Sequence, residues 1–559
     1  MRRTVSLLLA LLSFAFAPSA NAQWKSGGVA FPITPLDDQT ALLPDGQGGA
    51  FLFFLLPSGG RVPRAQHVLS NGTIDPLDGS SGRVVAPVPF GIGRATAISD
   101  GVNGMLVAFQ RCAPPQAHTL CWEAGQTRLT RWGPGGTSPG WPDSGVVIEL
   151  QSSGPDVPHL VSGGDGGAIV LLGSALARWT GACTTPWTPE PGQPGVRVST
   201  GTQQKIETQI APDGSGGAWA VWAEVVAFNP SLRRIYLNHV GAAGQRQLGN
   251  LGMVLAEGPD LRASGIAPDG AGGVYVAWSL RVQYSGGPVD SVFVQHVDAN
   301  GAPWWDAAGA PAGHTWAGAD LLLQASGDDA VALPVQDASG QTLLQKLSGG
   351  GPGWPGSSVG LQFGAVGASG QSWQPGADGS LFVAWSDSRS GSLDPWATLI
   401  DTDGLAAPGW TLGGTALANE PDPEYGGLIV PGATPGEAIV GWWQPSPAFI
   451  SLYDLVVQKV TTGGVLAVAA PRPALALGSP WPNPARNGWT VSFRLPEPDE
   501  AELELFDVAG RRVSSTRVRV EDTGPRQVRL DATGFAPGVY RVRLRARSGE
   551  RSRAVVLTP

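Results

Sequence analysis

Two short acidic stretches hold the residues best placed for chemistry. "AWSDSRSGSLDPW" carries Asp387, Arg389 and Asp394, and "NEPDPEYGG" carries Glu420, Asp422 and Glu424. Two carboxylates about 5 to 10 Å apart can cleave a glycosidic bond, one as acid and one as nucleophile or base. Asp387, Asp394 and Glu424 are therefore the catalytic candidates. The chain is acidic overall, with a formal charge of −9, and acidic loops on an acidic surface are commonly only solvated. The pattern points to binding more than to catalysis.

Other reactive residues are sparse. Three of the six His (His67, His239 and His296) recur at one repeated position, where Lys346 and Lys459 stand in other copies. A residue occurring once per repeat does not meet its copies at one metal. His118, His159 and His314 fall in loops and receive no role. Asp-Gly-x-Gly-Gly recurs at "IAPDGSGGAWAVWA" from Ile210 and "IAPDGAGGVYVAWS" from Ile266. A calcium site needs six to eight oxygens, usually from several carboxylates, and each loop offers one Asp. No Gly-Lys-Ser/Thr follows to make a phosphate cradle. These loops, and "DTDG" at Asp401, read as turns, so neither metal nor cofactor is expected. Cys112 and Cys121 flank "APPQAHTL" and are expected to form a disulfide in an oxidising compartment, leaving Cys183 unpaired or exchanging with one of them.

The turns define the elements around them. Related segments begin at Leu43, Ile98, Ser162, Ile210, Ile266, Ser326, Gly376 and Thr434, about 48 to 65 residues apart. A second motif follows each by about two dozen residues, as in "VQHVDANG" from Val294. A third is a Trp beyond that turn: Trp141, Trp304 with Trp305, Trp354 and Trp410. Asp-Gly supplies the positive φ of a tight reversal. "VYVAW" and "AWAVW" are continuously apolar, as in a strand covered on both faces. A radial array of small sheets gives that cover, whereas a sandwich would favour alternation. The reading is an all-β chain, a β-propeller with eight blades favoured and seven as the alternative. The Trp of the third motif is expected to pack between blades.

The chain has 559 residues with 80 Gly and 49 Pro, yet 21 Trp argue for a packed core rather than disorder. Arg2 and Arg3, the apolar "VSLLLALLSFAFA" and Ala20-Asn21-Ala22 form a secretory leader, with cleavage expected before Gln23. No later stretch is long and apolar enough for a membrane span. From Pro471 onward there are 15 Arg, no Lys and 10 acidic residues, a balance of +5 against −14 for the rest. An acidic body argues against nucleic acid as partner. Arg residues alternate in "YRVRLRARSGERSR", as on a solvated strand face.

The tail carries a resemblance. Pro482-Asn483-Pro484, Asp507 with Gly510-Arg511, Gly538-Val539-Tyr540 and a closing basic-then-apolar strand with Arg551 and Arg553 occur in order over about 85 residues. This region resembles the C-terminal sorting domains of the bacterial type IX secretion route and the related immunoglobulin-like domain of flagellar hook-capping proteins. The resemblance implies a small β-sandwich that directs passage through the outer membrane and contacts the secretion machinery.

The expected organisation is a leader at 1–22, a propeller at 23–460, a linker at 461–478 and an immunoglobulin-like sorting domain at 479–559. The expected function is that of an exported, secreted or cell-surface binding protein whose extracellular ligand is a glycan or a protein. The alternative is a secreted glycan-active hydrolase or lyase on the same scaffold.

Overall fold

Each Asp-Gly turn joins the first two strands of a four-stranded antiparallel unit. The computed structural model describes residues 24, 28–31, 40–56, 61–79, 81–87, 92–111, 126–149, 159–226, 232–284, 287–316, 321–326, 329–336, 342–354, 358–359, 369–376, 378–389, 393–418, 423–445, 453–460, 475–478, 480, 482–521 and 526–558. Among them the chain is all-β and without helix. Among the described residues no helix is long and apolar enough to cross a membrane.

Eight units follow one another before residue 461. Unit 1 begins at Ala41–Pro44, unit 2 at Ile92–Ser99, unit 3 at Leu160–Ser162 and unit 4 at Lys205–Pro212. Unit 5 begins at Leu261–Pro268, unit 6 at Gln324–Ala325, unit 7 at Ser369–Pro375 and unit 8 at Tyr425–Pro431. In units 1 to 7 the strand order follows the sequence, and units 5 and 6 are joined by one extra pairing, His314 opposite Gln336. First strands of consecutive units lie against one another, and that of unit 8 returns to that of unit 1. The body is thus a β-propeller.

The apolar runs are the second strands, and their two faces serve two cores. In Ala218–Val225, Ala218, Ala220 and Trp222 enter the core shared with unit 3. Trp219, Val221 and Ala223 enter the core shared with unit 5. Such a core lies at each junction, including one between unit 8 and unit 1. Burial on both faces explains why these strands do not alternate.

Unit 8 supplies only three strands in sequence. Its fourth is Val29–Phe31, from the start of the chain, with Val29 opposite Val457 and Phe31 opposite Leu455. Trp24 lies just upstream, buried against Gly72 of unit 1, its indole N–H donating to the Ser70 carbonyl at 2.9 Å. "WKSGGVAF" from Trp24 is thus a displaced copy of "WPDSGVVI" from Trp141.

The same Trp device links other neighbours. Indole N–H groups donate from Trp141 to Gly181, from Trp187 to Ala242 and from Trp354 to Thr402, each one unit further on. Trp305 donates to the Asp329 carboxylate of unit 6, while Trp304 stays exposed. Gly244 has φ 81°, and a Cβ there would sit 2.9 Å from Trp187 Cγ. Only glycine meets both constraints.

The C-terminal domain has a three-stranded and a four-stranded sheet enclosing its own core around Trp489, Phe493, Leu503 and Leu544. Its first strand, Ala476–Leu477, pairs with Gly488–Arg494. The sandwich therefore includes residues that composition assigned to the 461–478 linker. A Pro- and Ala-rich segment does not reveal that its last residues pair with a strand further on.

Candidate functional site

The recurring His residues close the turns. In unit 4, one oxygen of Asp213 accepts from the Ser215 and Gly217 amides at 2.7 and 2.8 Å. The other lies 2.8 Å from Nε2 of His239. Trp219, six residues after the Asp, stacks on His239 with ring centres 4.3 Å apart. Unit 1 repeats this with Asp45, Phe51 and His67, and unit 5 with Asp269, Tyr275 and His296. Arg131 takes the place of His on Asp100, Arg178 on Asp165, and Lys459 on Glu437. Lys346 instead donates to the Thr402 carbonyl.

Asp213 is held down to about 2. Burial alone would raise it, and the hydrogen bonds from His239 and the two amides outweigh that burial. Among the described residues, no group of three His, Cys, Asp or Glu is arranged to hold a metal ion. The sequence showed the Asp and the His but not their contact. The constant six-residue step from Asp to aromatic, with the His on the facing strand, was the available signal.

The three catalytic candidates do come together, at the junction of units 7 and 8. Asp387 and Asp394 face each other across the strands Leu381–Asp387 and Asp394–Ile400. The Glu424 amide donates to the carbonyl of Leu393. All three are fully buried. Asp387 accepts from the Trp385 indole at 2.8 Å and from Nε of Arg389 at 2.9 Å. Arg389 also donates to the Gly413 carbonyl and lies 4.3 Å over the Trp396 ring. Asp387 is thus held in a charge-assisted cluster with an indole and a guanidinium. Glu420 and Asp422 lie outside the described residues.

Cys112, Cys121 and His118 also lie outside the described residues. Cys183 is a free thiol packed beside Trp141, and burial pushes it above its ordinary pKa.

The tail motifs are positioned by the sandwich. Asn483 accepts from the Val556 amide at 2.7 Å and donates to the Ala554 carbonyl, fastening the domain's entry to its last strand. Asp507 accepts from the Ala509 and Arg511 amides, with Gly510 at φ 76°, so this turn repeats the device of the body. Gly538 opens the strand Gly538–Ala546, opposite Leu557. Tyr540 donates to the Ala536 carbonyl at 2.6 Å. Pro482 and Pro484 flank Asn483. A groove of about 540 Å³ lies between these turns, lined by Phe506, Asp507, Val508, Gly510, Tyr540 and Arg541 among others. Glu504 beside it is buried and held below the ordinary carboxylate range. Burial opposes that shift, and bonds from Arg512 and Arg543 outweigh it.

Propeller and tail together define an all-β protein of two parts, each with its own core. Residues 479–558 match the family described as the secretion system C-terminal sorting domain, so the tail is a sorting domain of the type IX route. The chain is accordingly that of a secreted or cell-surface protein.

Among solved structures, the chain is similar to PorZ, an essential bacterial surface component of the type IX secretion system of Porphyromonas gingivalis. The identity is 14%, over 93% of this chain and 70% of that one, with a TM-score of 0.30. A puromycin hydrolase shows 12% identity over 86% of this chain, with a TM-score of 0.35. The match spans 62% of that hydrolase, less than two thirds of its length. A eukaryotic initiation factor shows 10% identity over 93% and 98% of the two chains, with a TM-score of 0.33. Likeness at this level carries no argument about activity. A comparison with curated proteins found no match.

Proposed function

We propose that the protein is a binding protein of the outer cell surface. It presents an eight-bladed propeller to an extracellular glycan or protein, and its tail engages the secretion machinery during delivery. The observation that carries this reading is the sorting domain at 479–558. It stands beside a body whose repeated polar residues are committed to turns. The leader, removed before Gln23, provides passage across the inner membrane, and the tail provides the next step.

In this reading the ligand is met at one end of the ring. The Asp turns and the Trp-bearing turns occupy the other end, where their shared chemistry serves folding. The connections from second to third strand, and from unit to unit, differ in length and composition. Variation there suits recognition, because loops on a rigid scaffold tolerate it. The alternative of a hydrolase or lyase draws no support from Asp387, Asp394 and Glu424, which are enclosed.

The test is fractionation of the native host with mass spectrometry of the mature termini. The expected result is a mature chain starting at Gln23, recovered from the surface or medium. A form lacking residues 479–559 should accumulate in the periplasm. Full-length chain with an intact tail, resident in the periplasm, would overturn the sorting role.

A further inference from the structure

We propose that a depression between units 4 and 5 is a binding site for an acidic sugar residue of the uronate class. The proposal deepens the binding reading above and rests on it. The depression has a volume of about 240 Å³ and is lined by Glu207, Arg233, Asp260, Arg262 and Arg281. Three guanidinium groups thus meet two carboxylates, in a body that is otherwise strongly acidic.

Its backbone is unusual. Unit 4 passes to unit 5 through a single residue, Asp260, between the strands Met253–Pro259 and Leu261–Pro268. Asp260 has φ 50° and is exposed. Glu207 has φ 55° and lies in a bulge of its strand. The matching bulge position in unit 8 holds Gly426, at φ 80°. Two non-glycine residues in the left-handed region, both lining one depression, place backbone strain at one spot. Strain of that kind collects where a side chain is required. Beside it the strands Val274–Tyr284 and Gly287–Val297, 11 residues each, form a long hairpin, with Arg281 within the first.

The polar partners divide the roles. Glu207 accepts from Nε of Arg262 at 3.0 Å and from the Ala263 amide at 3.1 Å, and lies 3.5 Å from Arg233. It is committed to holding two guanidiniums in place. Arg281 bonds Asp290 through Nε at 3.2 Å, which leaves the outer edge of its guanidinium for a ligand. A carboxylate docks on paired guanidinium N–H groups with charge-assisted bonds. Asp260 beside them accepts from hydroxyl groups. A cavity of this size takes one monosaccharide unit, and its polar lining suits a sugar acid over an apolar ligand. The shared requirement for a carboxylate and adjacent hydroxyls names the ligand class.

The test is calorimetric titration of the full chain with methyl β-D-glucuronide, methyl β-D-glucoside and inorganic sulfate. The expected result is that the glucuronide binds at least about tenfold more tightly than either, as a charge-assisted contact requires, and weakens with added salt. R281Q should weaken it by about tenfold or more at a temperature where the variant, which loses a bond to buried Asp290, remains folded by circular dichroism. D260G, in which glycine suits the backbone, should weaken it while keeping the fold. Equal binding of glucoside and glucuronide would overturn the proposal. So would sulfate as tight as the glucuronide, or an affinity indifferent to both substitutions. A glycan array separates the two readings. Neutral glycans retained by both variants would leave the binding role standing and remove this site, whereas an empty array and no titration signal would remove both.

Discussion

At the scale of single residues, the same arrangement does its work many times. An Asp oxygen gathers two amides of its own turn, and the second oxygen is held by a His, Arg or Lys side chain from the facing strand. Replacing Asp269 by Ala removes bonds to Ala271, Gly273 and His296. The expected loss is about 1–3 kcal/mol, read as a lower denaturation midpoint, with no ion released in native mass spectrometry. A released ion would overturn the turn reading. Acid should act through the same groups. Asp213 has a folded pKa of about 2 against 3.8 when free. Its stabilisation, about 2 kcal/mol by linkage, is complete above roughly pH 4 and is lost as pH falls towards 2. In D213N that portion of the acid sensitivity should vanish from a pH series of melting temperatures. Asp387→Ala removes a fully buried carboxylate that accepts from the Trp385 indole and from Arg389, a charge-assisted contact worth about 1.5–3 kcal/mol. Its signature is a large stability loss. A fully stable, inactive D387A would instead favour catalysis.

At the scale of elements, the Trp latches decide how one unit is fixed to the next. Trp187 fills the junction of units 3 and 4 and covers Gly244. Trp187→Ala should cost about 3–5 kcal/mol as a cavity. Gly244→Ala should also destabilise, from strain and collision together, and calorimetry of both variants checks the pair. The repeats, their turns and the doubly covered strands were legible in the sequence, because apolar runs and Asp-Gly pairs are local signals. The interblade Trp was legible for the same reason. The Asp–His contact was not, since it joins residues 26 apart in unit 4 on different strands. The enclosure of Asp387, Asp394 and Glu424 was also invisible, because burial depends on the neighbouring unit. The Arg depression gave no sign at all. Glu207, Arg233 and Arg281 are spread along two units and share no motif.

At the scale of the whole molecule, the two ends of the body form one unit. Val29–Phe31 and Trp24 fall within the propeller expected at 23–460, and their likeness to "WPDSGVVI" marks them as the missing fourth-strand segment. Deleting residues 24–31 bares one edge of the strand Tyr453–Val460 in unit 8 and removes Trp24 from Gly72. The expected outcome is a body that melts at lower temperature and self-associates through the bared edge, visible by calorimetry and light scattering. The tail, with a separate core, should keep its own transition.

That closure also sets a timetable. Val29 is among the earliest residues synthesised and Val457 among the last of the body, so their pairing is about as non-local as the fold permits. Contacts of high sequence separation form late and slowly. During translocation the leading segment must therefore remain unpaired while seven complete units line up behind it. A chain that locks only when its first and last strands meet cannot finish folding before it has been fully delivered. Such a delay is an advantage for a protein that must still pass through a membrane.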